Sequence, residues 1–299
     1  MKIEKYAAID IGSNAIRILI ANVIINNSVN VVFFKNSLVR VPIRLGEDTF
    51  TSGNISNLNI KRMLKAIKSF KLLINIHEVI DYSVYATSAL REAKNKSYVI
   101  KLIKKKTGVQ IKIIDGEKEA KLISSSNLFK EIYKNSNVLY VDVGGGSTEF
   151  SIIQNGKRVI EKSFRIGTVR LLKGMVSDLL WIELKNWLVK NTKTFEKLTI
   201  LGTGGSIGKI QKLTQENDNK PIDLKALQLL YQKVSLMTHS ERIIKYQLNP
   251  DRADVILPAL NIYIKTMEWS KISEIVVPKI GLSDGMIEEI YRSKNNLNF

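Results

Sequence analysis

Read as apolar and polar positions, the chain opens with a strand pattern broken once by a polar turn. In "AAIDIGSNAIRILIANV" (Ala7 to Val23), Asp10 is followed by Gly12, Ser13 and Asn14, and then Ile16, Ile18 and Ile20 recur at every second position. The same order returns in "LYVDVGGGSTEFSIIQNGKRVI" (Leu139 to Ile160), which starts 132 residues later. There Phe150 and Ile152 mark a strand that ends in the hairpin turn Asn155-Gly156. A separation of that size is too long for a solenoid repeat and suits duplicated domains. In both places the glycine turn leads into a strand, whereas a dinucleotide-binding fingerprint would enter a helix, so that reading is set aside.

Between the two hairpins the pattern becomes alternating helices and strands. "LNIKRMLKAIKSFKLLI" is amphipathic, "YSVYATSAL" begins as a strand, and "SYVIKLIKKKTG" predicts a helix with Ser97 as N-cap and Gly108 past its end. "VQIKIID" alternates as a strand and leads through Asp115-Gly116 into a helix over "EKEAKLISSSNLFKEIYK", which puts Glu119 in a first helical turn. Open α/β sheets bind ligands at such strand ends. Farther on, "LTILGTGGSIGKIQKL" reads as strand, glycine turn and helix start, and a last helix holds "DGMIEEIYRSKN". We expect one domain over residues 1–122, a second over 123–283, and a C-terminal helix over 284–299 packing back on the first.

Composition changes this picture in three ways. With 44% hydrophobic and 25% charged residues among 299, the chain has the balance of a folded globular protein of two domains. The absence of cysteine excludes disulfides and thiolate metal sites, and with only His77 and His239 a zinc site lacks ligands. No apolar run reaches the length of a membrane span and the N-terminus enters a strand pattern at once, so the expected location is the cytoplasm, with no membrane partner. The formal charge of +18 attracts polyanions, but its lysine excess fits a general compositional bias as well. Arginine placement is more informative: Arg17, Arg44, Arg91, Arg165 and Arg170 lie in or beside the glycine segments, where a planar fork suits phosphate oxygens.

The candidate chemistry is phosphate and metal binding. Gly144, Gly145 and Gly146 let backbone N–H groups approach an anion closely, and Ser147 adds a hydroxyl. Asp142 and Glu149 flank them and would repel that anion unless a hard cation such as Mg²⁺ lay between. Gly204, Gly205 and Ser206, after Gly202, form a third loop before a helix. Asp10 with Gly12, Ser13 and Asn14 also reads as an ordinary polar turn when taken alone. Lys101, Lys104, Lys105 and Lys106 complement a helix dipole on a solvated face, and Trp181, Trp187 and Trp269 read as core anchors, so no nucleic-acid partner is expected.

The motifs "AIDIGSNAIRILI", "RLGED", "ATSALREAKN", "GEKEA", "VDVGGGSTEF", "RIGTVRL", "LGTGGSI", "DRADVILPAL" and "GLSDG", in this order, resemble the exopolyphosphatase and guanosine pentaphosphate phosphatase family, within the actin, sugar kinase and Hsp70 ATPase superfamily. The resemblance implies an α/β protein of two ribonuclease-H-like domains facing across a cleft, without the additional helical domain of long members. It also implies release of terminal phosphate from inorganic polyphosphate or, as the alternative substrate, guanosine pentaphosphate. Glu119 then resembles the carboxylate that activates water, Asp142 and Glu149 the Mg²⁺ ligands with Asp10 orienting the metal or its waters, and Arg91 and Arg17 phosphate contacts. Two positions depart from the family: Lys118 stands where an acidic residue is common, expected to face solvent, and Ser283 stands where arginine is common. A kinase of the same superfamily and a non-catalytic polyphosphate or alarmone sensor are the rival classes. A homodimer is the expected assembly if polyphosphate runs across two basic surfaces.

Overall fold

The computed structural model describes residues 1–26, 30–124, 136–195, 197–214 and 220–296. The chain divides into two compact units, Met1–Phe129 with Gly281–Phe299, and Lys130–Ile280. In the first, β1 (Lys2–Ile11), β2 (Ile16–Asn26) and β3 (Asn30–Val41) form an antiparallel meander. Helices α1 (Leu45–Ser52) and α2 (Asn57–Ile76) lead to β4 (Asp81–Ala86), which pairs parallel to β1. After α3 (Ser88–Glu92) and α4 (Lys96–Thr107), β5 (Lys112–Ile113) pairs parallel to β4, and α5 (Gly116–Ser124) follows. The sheet order is β3-β2-β1-β4-β5.

The second unit repeats that plan. Strands β6 (Asn137–Val143), β7 (Thr148–Gln154) and β8 (Lys157–Phe164) form the meander. Helices α6 (Thr168–Leu172) and α7 (Asp178–Thr192) precede β9 (Thr199–Gly204), which lies parallel to β6 and is followed by α8 (Ile207–Thr214). Then come β10 (Ile222–Asp223), α9 (Leu224–Ser235), α10 (His239–Tyr246), α11 (Pro250–Ser270) and β11 (Glu274–Val276). The order is β10-β11-β9-β6-β7-β8, so β8-β7-β6-β9-β11 matches the first sheet strand for strand, with antiparallel β10 added outside. The internal echo in the sequence is therefore a repeated topology. Helix α12 (Leu282–Lys294) belongs to the first unit, where it packs on β1, β4 and α5.

Each core follows from the strand periodicity. Ile9, Ile11, Ile16, Ile18 and Ile20 are fully buried in the first unit. In the second, Phe150 and Phe164 meet edge to face with centroids 5.7 Å apart, and Trp187 packs on both. Trp181 and Trp269 also pack against this core, as expected of anchors. Asn155 (φ 50°) and Gly156 (φ 73°) make the β7–β8 turn, and Gly108 ends α4. Among the described residues no helix is long and apolar enough to cross a membrane.

Three local expectations differ. Helix α4 begins one residue before Ser97, with Asn95 in the N-cap position, because the Asn95 amide bonds both the N–H and C=O of Ile55 instead of a helix end. The "VQIKIID" strand shrinks to Lys112–Ile113: Val109 and Ile111 alternate because they are buried, but only two residues find ladder partners on β4. Lys101 lies a turn before the last turn of α4, which holds Lys104, Lys105 and Lys106. The part of the "EKEAKLISSSNLFKEIYK" helix after Ser124 lies outside the described residues.

Ile9 sits fully buried in the central strand of the first sheet. Ile9→Ala is expected to cost about 2–5 kcal/mol through lost transfer energy and a residual cavity. Chemical denaturation checks this, and a loss under about 1 kcal/mol would contradict a close-packed core at that position.

Candidate functional site

Both central strands end in the same device. β1 finishes Asp10-Ile11 and turns so that the Gly12 N–H donates to the Ala15 carbonyl at 3.1 Å; β6 finishes Asp142-Val143 and the Gly144 N–H donates to the Ser147 carbonyl at 2.9 Å. The turn holds each aspartate buried at a carboxyl strand end, with Asp10 5% and Asp142 8% exposed. What stands opposite each one differs.

In the first unit the cross-strand partner of Asp10 is Arg17, whose Nε lies 3.4 Å from Oδ2. Burial pushes the Asp10 carboxyl up from its ordinary range while the Arg17 charge opposes that rise. Around this pair the loops interlock. The Ser13 and Ser88 hydroxyls bond at 2.8 Å, the Gly46 N–H donates to the Ser13 carbonyl, and the Arg44 N–H donates to the Asn14 carbonyl. Arg44 takes a left-handed backbone (φ 63°) before α1, and its guanidinium pairs with Glu47 at 2.7 Å. Arg91 Nη1 donates to the Ile114 carbonyl at 2.7 Å, tying α3 to the end of β5. Glu119 lies half-buried in the first turn of α5, as expected, and the Asp115 carboxylate caps that turn by accepting the Lys118 N–H at 2.8 Å. Asp10, Gly12, Ser13, Asn14, Arg17, Arg44 and Arg91 thus belong to one set of linked loops at the carboxyl ends of β1, β4 and β5.

In the second unit the residue opposite Asp142 is Glu149, itself 4% exposed. Ser147 Oγ donates to Glu149 Oε1 at 2.6 Å and Ser163 Oγ donates to the same oxygen at 3.0 Å. Like charges placed directly opposite on neighbouring strands repel, and burial sharpens that cost. The donor set is all oxygen, which suits a hard divalent cation. Among the described residues no three acidic, histidine or cysteine side chains gather into a metal cluster. Two carboxylates beside hydroxyl groups are the kind of oxygen donor set with which Mg²⁺ is commonly held, water and substrate oxygens completing its shell.

The loops beside this pair are braced from behind. Arg170 Nε donates to the Gly146 carbonyl at 2.6 Å, and the N–H groups of Thr168 and Val169 donate to the Gly144 and Gly145 carbonyls at 3.0 and 2.8 Å. With these carbonyls held on one side and the Gly144 N–H closed onto Ser147, the Gly145 and Gly146 N–H groups are the ones that can turn toward an anion. The Arg252 guanidinium donates to the Gly205 carbonyl, and the Tyr263 hydroxyl donates to the Thr203 carbonyl. Burial, followed by the Asp142 charge, raises the Tyr263 phenol well above its ordinary value and keeps it a donor. Gly204 takes φ 114°, and a Cβ there would lie 2.4 Å from the Val143 carbonyl oxygen and 2.9 Å from Asp142 Oδ1. Ser206 is buried just before α8, its carbonyl accepting the first helical N–H groups. Arg252, Ser163 and Tyr263 carry no glycine-loop signature, and Arg170 braces the loop through a carbonyl.

Comparison with known proteins shows the family and the fold. Residues 38–294 match the sequence model of the Ppx/GppA phosphatase family, and the chain belongs to that family. It is 32% identical over 289 residues to the bifunctional 3-dehydroquinate synthase/phosphatase of Fusobacterium nucleatum, covering 85% of this chain but 43% of that protein. It is 23% identical to exopolyphosphatase 1 of Mycobacterium tuberculosis, covering 95% of this chain and 87% of that one. Among solved structures, an exopolyphosphatase from Cytophaga hutchinsonii aligns over 99% of both chains with a TM-score of 0.82 and 23% identity. The fold is accordingly α/β, two units of matching sheet topology, and is shared with that structure.

Gly204→Ala is expected to destabilise the chain by about 1–3 kcal/mol, because a side chain is strained at that φ and meets the Val143 carbonyl. Thermal melting checks the loss; an unchanged melting temperature would mean that the loop relaxes freely.

Proposed function

We propose that this chain is a phosphohydrolase that releases terminal phosphate from inorganic polyphosphate, with Glu119 as the residue that activates water. The observation that carries the reading is the place of Glu119, half-buried in a capped first helical turn at the carboxyl end of β5. Family membership supports the reaction class, and the exopolyphosphatase relative supports the substrate.

In this reading the Glu119 carboxylate accepts a proton from water as the water oxygen bonds to the terminal phosphorus. The bond from that phosphorus to the bridging oxygen breaks, and the shortened chain leaves with its oxygen. Gly145 and Gly146, with Gly204, Gly205 and Ser206, bind phosphate oxygens through backbone N–H groups, while the Gly144 N–H and the Ser147 hydroxyl, engaged by the Ser147 carbonyl and by Glu149, hold the turn in shape. Arg17 and Arg91 offset anionic charge, and Gly12, Ser13, Asn14 and Arg44 shape the corresponding turn in the first unit. Asp142 and Glu149 would hold Mg²⁺, with Asp10 orienting its waters, and the ion would supply charge neutralisation on the transferred phosphoryl group. Little covalent chemistry is required of the protein, since phosphoryl transfer depends mostly on positioning and electrostatics.

Phosphate release with Mg²⁺, from polyphosphate and separately from guanosine pentaphosphate, tests this. Polyphosphate is expected to be the faster substrate, and Glu119→Gln to lower kcat by about 10²-fold or more with KM little changed. Wild-type kcat in Glu119→Gln would overturn the role of Glu119. Faster release from guanosine pentaphosphate would select that substrate, and tight binding without turnover would select a regulator.

A further inference from the structure

Helix α5 is gripped by α12 at two points one turn apart. Lys118 Nζ pairs with Glu289 Oε1, and a Cβ on Gly285 would lie 2.1 Å from the Leu122 carbonyl oxygen, so the two backbones touch there. Lys118 and Leu122 are four residues apart on one face of α5, and Gly285 and Glu289 are four apart on one face of α12. The pairs run in opposite order, as antiparallel neighbours require. A third element joins: the Tyr85 hydroxyl on β4 donates to Glu289 Oε2 at 2.5 Å. Lys118 therefore does not face open solvent as expected. With side-chain exposures of 36% for Lys118 and 19% for Glu289, the pair is partly withdrawn from water.

Glu119 is the next residue along α5, about 100° around the helix axis from Lys118. A grip on the 118/122 face therefore fixes the rotation of the helix, and with it the direction of the Glu119 carboxylate. We propose that Lys118, Glu289 and Tyr85 form a clamp, closed by the backbone contact at Gly285, that sets the orientation of Glu119 for its work on water. This rests on the reading of Glu119 given above. Lys118 and Glu289 are positioning residues: they act through the helix, and the lysine that departs from the family's acidic pattern becomes the half of an ion pair that α12 completes.

Lys118→Met, Glu289→Gln and the exchanged pair Lys118→Glu/Glu289→Lys test the clamp in the full chain, with Glu119→Gln beside them. Each single variant is expected to lose about tenfold in kcat with KM within about twofold, because a small misplacement of a catalytic group is costly while binding is untouched. Amide hydrogen exchange should quicken over residues 116–124 and stay unchanged elsewhere, and the exchanged pair should recover most of the lost kcat. If both single variants keep wild-type kcat while Glu119→Gln is inactive, the clamp is wrong. If they lose activity together with global exchange protection, the losses reflect unfolding and the clamp is likewise rejected. Should Glu119→Gln keep wild-type kcat, the functional reading fails instead, and the clamp's orienting role with it, whatever exchange over α5 shows.

Discussion

A carboxylate buried at the end of a central strand has to be compensated, and the two halves of this molecule do so differently. Asp10 and Asp142 occupy equivalent places, each one residue before the end of the strand and each followed by the same glycine turn. Opposite Asp10 the neighbouring strand offers Arg17, a cation that offsets the cost of burial within the protein. Opposite Asp142 it offers Glu149, a second buried carboxylate. A repeated fold has thus kept the position and changed the charge. That difference is the physical basis for assigning the proposed cation to the carboxylate pair of the second unit.

The loops around these carboxylates depend on main chain approaching main chain. Gly204 passes so close to the Val143 carbonyl that no side chain fits. Donors from Arg170, Thr168 and Val169 hold the carbonyls of the glycine run, and Arg252 holds that of Gly205. Such bracing fixes the peptide dipoles before any ligand arrives, which is the condition under which electrostatic stabilisation needs little reorganisation. The same logic extends to α5, where the Asp115 cap and the α12 contacts fix a short helix at both ends.

Much of this was legible in the sequence because it is local. Alternating apolar residues located β1, β2, β6, β7 and β9, the Asn155-Gly156 turn follows from two residues that tolerate positive φ, and Gly108 ends α4 for the same reason. What escaped is tertiary. Asn95 displaces Ser97 because a distant strand of backbone at Ile55 claims its amide. Lys118 pairs with a residue 171 positions away, and Arg252 reaches Gly205 from 47 positions away. No periodicity or turn rule encodes such distances. Asp10 and Asp142 precede similar turns in the sequence, where Arg17 and Glu149 already distinguish them, and the strand register then sets those two residues directly opposite.

The proposed cation is the one that Asp142 and Glu149, opposite each other on neighbouring strands, would share. Melting of the full chain against Mg²⁺ concentration addresses this sharing most directly, since a ligand that binds only the folded state raises stability by about 1.4 kcal/mol per tenfold excess over its Kd. The wild-type melting temperature should climb with Mg²⁺, and Asp142→Asn should abolish the climb while melting above the wild type in chelator, where the repulsion is relieved. A wild-type melting temperature indifferent to Mg²⁺, or an equal climb in Asp142→Asn, would contradict it.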